Sequence, residues 1–357
     1  MPSPYPFHKI ALAPLLPNTT EDELEKSATS GIVLGETDFE VFLNQQGLAP
    51  LWDERIAQHT GEELPLSSEL RHSLHRARMH ATGEYLIQRH SLSRITEIMD
   101  RVGITHVVIK GAHTRELYYN TPALRPACDI DVLVRAGDKI EVIKAFQEQG
   151  FEFVGVPENI SHEVCLVKGK TTIDLHWDIL RPGRTRIPMT DTLLETRQDF
   201  GSHWGMSHEA TVFMMLVHPV FTKYTTTPHA TLVRLLDLVY LLDKEEVNWQ
   251  LLVSWLEQAG LKTCGWITLT WLAMLTAVTP AADVMQTLQP GALRSRYLTH
   301  WLKNNLATRW LEKPLLVQAG FTLAAHDNGL DVGRALVQQR KARSDGEKKL
   351  KQLRAQV

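Results

Sequence analysis

The stretch Arg125-Pro126-Ala127-Cys128-Asp129-Ile130-Asp131-Val132-Leu133-Val134 sets two carboxylates two residues apart in a run of aliphatic and β-branched residues. In an extended segment residues i and i+2 point to the same face. Asp129 and Asp131 therefore project together from a strand whose other side chains call for a core. A solvated strand face explains one Asp. Two neighbouring carboxylates repel and raise each other's pKa unless a cation sits between them. The usual cation for such an oxygen pair is Mg²⁺, held by one or two carboxylates plus substrate phosphates.

The flanking sequence fits that reading. Thr105-His106-Val107-Val108-Ile109-Lys110-Gly111 reads as a buried strand ending in Gly, and residues 112–119 have helical spacing that Asn120-Thr121-Pro122 ends. A strand passing through Gly into a helix N-terminus is a ready anion site, because free N–H groups and the helix dipole both favour phosphate. Residues 138–149 form an amphipathic pattern closed by Gly150, and residues 151–154 a short strand. Residues 163–167 and 171–177 flank Lys168-Gly169-Lys170 as a hairpin, whose second arm alternates Asp174 and His176 with apolar residues.

Strand, Lys-Gly, helix, an Arg-x-x-x-Asp-x-Asp strand, helix, strand, hairpin, then Ile173-Asp174-Leu175-His176-Trp177: this order resembles the DNA polymerase β-like nucleotidyltransferase superfamily. It looks most like a bacterial group of largely uncharacterised nucleotidyltransferases with Lys-Gly in place of the usual Gly-Ser, an Arg-Pro-x-x-Asp-Ile-Asp-x-Leu-Val strand and a Leu-His-Trp after the third acid. The resemblance is close over residues 100–180 and looser beyond 205, at Leu216-Val217-His218 and Arg234-Leu235-Leu236-Asp237-Leu238. It implies that Asp129 and Asp131 hold Mg²⁺ (or Mn²⁺), that Asp174 completes an acidic triad, and that Gly111 lies under a nucleoside triphosphate. Lys110-Gly111-Ala112 departs from the superfamily by offering a long cation and no hydroxyl.

The residue types suit nucleotidyl transfer, an in-line displacement at an α-phosphorus. Divalent ions on shared carboxylates stabilise both the attacking and the leaving oxygen. Asp174 is placed to bind the ion that activates the acceptor or to act as its general base. Lys110, Arg115 and Arg125 are candidates to neutralise phosphate charge. Each has a plainer reading: Arg125 caps a loop or pairs with an Asp, Arg115 belongs to a solvated helix face, and Lys110 is structural. His176 is either next to the site or a core histidine beside Trp177.

Composition sets outer bounds. The chain has 357 residues, 43% of them hydrophobic and 22% charged, with a formal net charge of −3. Those values suit a soluble globular protein with no global field for nucleic acid. No apolar run is long enough to span a bilayer, and the 3 Cys show no framework or zinc spacing, so the expected location is the cytoplasm. No Gly-x-x-x-x-Gly-Lys-Ser/Thr loop occurs, which sets a P-loop kinase aside.

The remaining sequence reads as mostly helical. Residues 2–17 are Pro-rich and expected to be irregular; helices are expected over 38–48, 50–58 and from Leu66 towards Met99, the last with a basic face at residues 71–80. Residues 181–188 read as a loop that closes over substrate. His218, Tyr224, His229 and Asp237 are candidates for an acceptor pocket. The expected architecture is α+β: a polymerase β-like mixed sheet with flanking helices at 100–200, a helical region at 1–99, another at 201–330, and a basic tail at 331–357, frayed or disordered. The expected activity is Mg-dependent transfer of an NMP from an NTP, ATP by default, to an unidentified hydroxyl-bearing acceptor. A small molecule, peptide or protein is favoured over RNA for that role. The alternative is a non-catalytic nucleotide-binding or adaptor protein that kept the fold.

Overall fold

The computed structural model describes residues 5–222, 231–310 and 312–357, so Tyr224 and His229 lie outside the described residues. Four helices come first: α1 (His8–Leu12), α2 (Glu21–Gln45), α3 (Ala49–Gln58) and α4 (Ser68–Arg101). The Thr20 side chain accepts from the Glu23 N–H, and Glu21, Asp22 and Glu23 sit in the first turn, where the dipole favours acids. Helix α1 corrects the expectation that the Pro-rich start is irregular. Pro14 is accommodated at the opening of a 3₁₀ turn, where its missing N–H has no helical partner to lose. The basic face of α4 turns partly to solvent and partly to α3, where Arg78 meets Asp53 and Glu54.

Strand β1 (His106–Ile109) leads into α5 (Lys110–Tyr118), β2 (Ile130–Val134), α6 (Lys139–Glu148), β3 (Glu152–Val154), β4 (Glu163–Lys168) and β5 (Thr171–His176). After α7 (Thr190–Glu195) come two short strands, β6 (Gln198–Asp199) and β7 (Trp204–Gly205). Together they form one mixed sheet in the order β3-β4-β5-β2-β1-β7-β6. The central strand β2 is buried at every position, antiparallel to β1 and parallel to β5. Burial on both faces is what its unbroken aliphatic run requires. Turn residue Gly169 has φ +57, so the hairpin uses a conformation that costs glycine nothing.

The sheet separates two cores. Val108, Ile130, Val132, Val134, Ile173 and Leu175 face α4 and α6 in one core. Val107, Ile109 and Leu133 join the larger one, with the N-terminal helices and those that follow the sheet. These are α8 (His208–Thr222), α9 (Thr231–Lys244), α10 (Trp249–Ala259), α11 (Lys262–Thr276), α12 (Ala282–Leu288), α13 (Ala292–Lys303), α14 (Leu306–Arg309) and α15 (Pro314–Val317); α16 (Gly329–Ser344) and α17 (Gly346–Arg354) come after them. Trp266 and Trp271 are buried in that larger core, with Trp249 and Trp255 packed at its margin. Among the described residues no helix is long and apolar enough to cross a membrane.

Two expectations need correction. The basic tail is not frayed: it forms α16 and α17, and Leu350 and Leu353 of α17 are buried in the core beneath the sheet. Their three-residue spacing is a single helical stripe, too sparse to stand out among lysines. Leu350→Ala should lower stability by about 2 kcal/mol, the low end for a core Leu truncation, read as a reduced urea midpoint. An unchanged midpoint would show that α17 is only laid on the surface. The loop at 181–188 is likewise pinned: the Arg186 guanidinium donates to both Asp331 carboxylate oxygens, at 3.1 and 2.8 Å, and Arg184 stacks on Phe221. Those contacts hold it against α16 and α8 and do not leave it free to close.

Candidate active site

Parallel pairing of β2 with β5 sets Asp131 beside Asp174 and Leu133 beside His176. Alternation turns these positions away from the α4–α6 core, and Asp129, two residues before Asp131, has the same parity. Ligand atoms of Asp131, Asp174 and His176 all lie within 4.8 Å of one another. Asp129 joins them through its charge. Asp131, burial and Asp174 push its carboxyl up to about 6, against the pull of Lys110 and Arg234. Burial and the Asp131 charge also raise Asp174. Cys165, opposite Asp174 on β4, has its thiol pushed up to about 12 by burial and the Asp174 charge.

Lys110 reaches the same point from the strand-to-helix junction. Its φ of +56 is left-handed, a conformation that costs a side-chain-bearing residue about 1–3 kcal/mol. From there Nζ donates to Asp131 Oδ1 at 2.5 Å and lies 3.2 Å from His176 Nε2. His176 Nε2 is 2.8 Å from that same Asp131 oxygen, and its Nδ1 lies 3.2 Å from Glu163 Oε2. A ring nitrogen cannot both donate and accept. With its proton directed at Asp131 by the shorter contact, Nε2 leaves Lys110 beside it as a packed neighbour. Burial works against charge on both partners of the ion pair. The Asp131 carboxylate nonetheless holds the Lys110 ammonium above its ordinary value, and Lys110 with His176 holds Asp131 well below the usual carboxylate range.

Arg125 is tied to Asp237 of α9: Nε donates to Oδ1 at 3.1 Å and Nη2 to Oδ2 at 2.6 Å, with both residues buried. Tyr119 OH donates to Asp237 Oδ1 as well, at 2.8 Å. Gly111 lies directly beneath the guanidinium, and a Cβ there would stand 2.2 Å from Arg125 Nη1. Gly111 thus makes room for an arginine. Gly111→Ala should cost about 1–3 kcal/mol through overpacking, measurable as a fall in the urea midpoint, whereas an unchanged midpoint would show that Arg125 can shift freely. Arg115 is not on a solvated face. It is 1% exposed, donates to Gln88 Oε1 at 2.7 Å and lies over the Tyr85 ring, joining α5 to α4.

A narrow recess of ≈ 40 Å³ adjoins Lys110 and runs between α5, α8 and α9. Met206, Met214 and Met215 give it an apolar wall, and Arg234, His218 and Asp237 give it polar groups. His218 and Asp237 were candidates from the sequence. The methionines and Arg234 were not, because nothing in a helical apolar run marks which residues border a recess.

The donor set fits a divalent cation. Three mutually repelling carboxylates, two of them raised in pKa even with Lys110 present, are short of positive charge. Carboxylate oxygen ligands suit a hard ion. Asp131 and Asp174 would hold it, with Asp129 coupled to them through its charge. No curated protein and no solved structure matches the chain. The family model described as "Uncharacterised nucleotidyltransferase" matches residues 38–276, from within α2 to the end of α11, and so takes in the whole sheet and the acidic centre. The chain belongs to this nucleotidyltransferase family.

Proposed function

We propose that the chain transfers a nucleoside monophosphate from an Mg²⁺-bound NTP, ATP by default, to a hydroxyl-bearing acceptor and releases pyrophosphate. The observation that carries this reading is the convergence of Asp131, Asp174 and His176 within 4.8 Å, with Asp129 electrostatically coupled to them, beside a recess. Asp129, Asp131 and Asp174 would hold the divalent ion, which supplies charge stabilisation at the transferring phosphorus and its leaving group. His176 orients Asp131 through Nε2. Lys110 keeps an N–H for a phosphate oxygen, since an ammonium has three donors and Asp131 takes one. Asp174 is the residue for the acceptor: as a ligand of the ion, it would place that ion beside the acceptor hydroxyl. The acceptor is a small molecule, peptide or protein rather than RNA, because the chain carries net charge −3 and no overall basic character.

Incubation with α-³²P- and γ-³²P-labelled ATP and cell extract separates the classes. Label retained from the α position supports the reading; label from γ means phosphoryl transfer, and neither means a binding protein. Asp174→Asn keeps size and hydrogen bonding and removes charge. It should hold the divalent ion more weakly, because one of its charged ligands becomes neutral, and lose turnover by about 10²-fold. A variant turning over at the wild-type rate would remove Asp174 from the chemistry.

A further inference from the structure

Shared-carboxylate centres that hold two ions, about 3.5–4 Å apart, need a bridging group with one oxygen for each ion. Asp131 is the buried carboxylate central to this site, and its oxygens are not equally available. Oδ1 meets Lys110 Nζ at 2.5 Å and His176 Nε2 at 2.8 Å. Oδ2 is the oxygen those two donors leave for an ion. The ammonium is delivered by the backbone as well as the side chain. Lys110 is one of few described non-glycine residues with positive φ, and that costly conformation starts α5 with the side chain directed back to β2. Charge points the same way. The ammonium and one divalent ion together balance the charges of Asp129, Asp131 and Asp174, and a second divalent ion would leave an excess before any substrate arrived.

We infer that Lys110 stands permanently in one of the two cation positions of the acidic centre, so that the protein takes a single divalent ion, on Asp131 Oδ2 with Asp174 and Asp129. This rests on the nucleotidyl-transfer reading and deepens it. The ion supports one side of the displacement, and a fixed ammonium, which needs no recruitment from solution, supports the other. Lys110 is then a substitute for a metal ion, and its N–H groups are the contact that a second ion would otherwise make.

The test counts Mn²⁺ by electron paramagnetic resonance on the full chain, alone and with α,β-methylene-ATP. The wild type should hold one Mn²⁺ per chain at saturation, with the spectrum of a magnetically isolated ion, in the ternary complex. Lys110→Met removes the ammonium at similar length and should take up a second ion, seen as an exchange-coupled pair. Lys110→Gly, which relieves the left-handed backbone, should do the same and serves if the methionine variant folds poorly. A coupled pair in the wild type overturns the inference, because Lys110 would then have yielded its place. Folded variants that still hold one ion overturn it too. If neither variant folds, the wild-type count decides. Two ions together with transfer of α-label would end this inference and leave the nucleotidyl-transfer reading standing. Failure to hold any Mn²⁺, with no transfer of α-label, would end both.

Discussion

Asp237→Ala should lower the stability of the protein by about 3–5 kcal/mol, the scale observed when one partner of a buried ion pair is removed. The guanidinium of Arg125 is buried, and both Asp237 oxygens accept from it. Alanine would leave that charge in the interior with a single carbonyl, Pro126 O at 2.7 Å, as its remaining oxygen partner here. The Tyr119 hydroxyl would lose its shorter hydrogen bond in the same change and keep only Val233 O, at 3.4 Å. Urea denaturation gives the loss directly. The double variant Arg125→Met/Asp237→Leu should recover most of it, because an apolar pair of similar volume carries no desolvation cost. A single variant within 1 kcal/mol of wild type would mean that solvent reaches Arg125 after all.

Asp131→Asn should cost the largest share of activity, about 10³-fold in kcat, within the range for loss of a group that acts in the transition state. Asp131 has more partners at the centre than either other acid. Lys110 and His176 both converge on its Oδ1, and its charge is the first cause of the raised pKa of Asp129. Asparagine retains the shape, and its carbonyl oxygen can still accept from Lys110 and His176, so far-UV circular dichroism should be unchanged. The divalent ion should be held at least tenfold more weakly, because a charged ligand becomes neutral. A variant with wild-type Mn²⁺ affinity and more than a tenth of the wild-type rate would show that the ion sits elsewhere.

The middle of the sheet is legible from the sequence because its signals are local. Period-two alternation marks the strand that carries Asp131, and a Gly in a two-residue turn defines the β4–β5 hairpin. The α+β class follows from that pattern and from helical spacing on either side. The missing parts depend on contacts distant in sequence. Arg125 and Asp237 are 112 residues apart, and nothing near either residue names the other. The burial of Arg115 depends on α4 crossing α5, so its helical position alone reads as solvated. Strands β6 and β7 are two residues each, too short for any alternation to register. The convergence of Lys110 and His176 on one oxygen depends on a left-handed backbone at a lysine, a conformation that propensity argues against.

The pairing of Arg125 with Asp237 also sets a timetable for the nascent chain. The ribosome delivers the arginine 112 residues before its counterion, roughly 6–22 s earlier at about 5–20 residues per second. Throughout that interval Gly111 has no anchored guanidinium above it. A fragment ended near residue 200 keeps every carboxylate of the acidic centre but stays in that unfinished state, because α9 begins at Thr231. Co-expressing such a fragment with the missing helices should restore solubility only if α9 is among them.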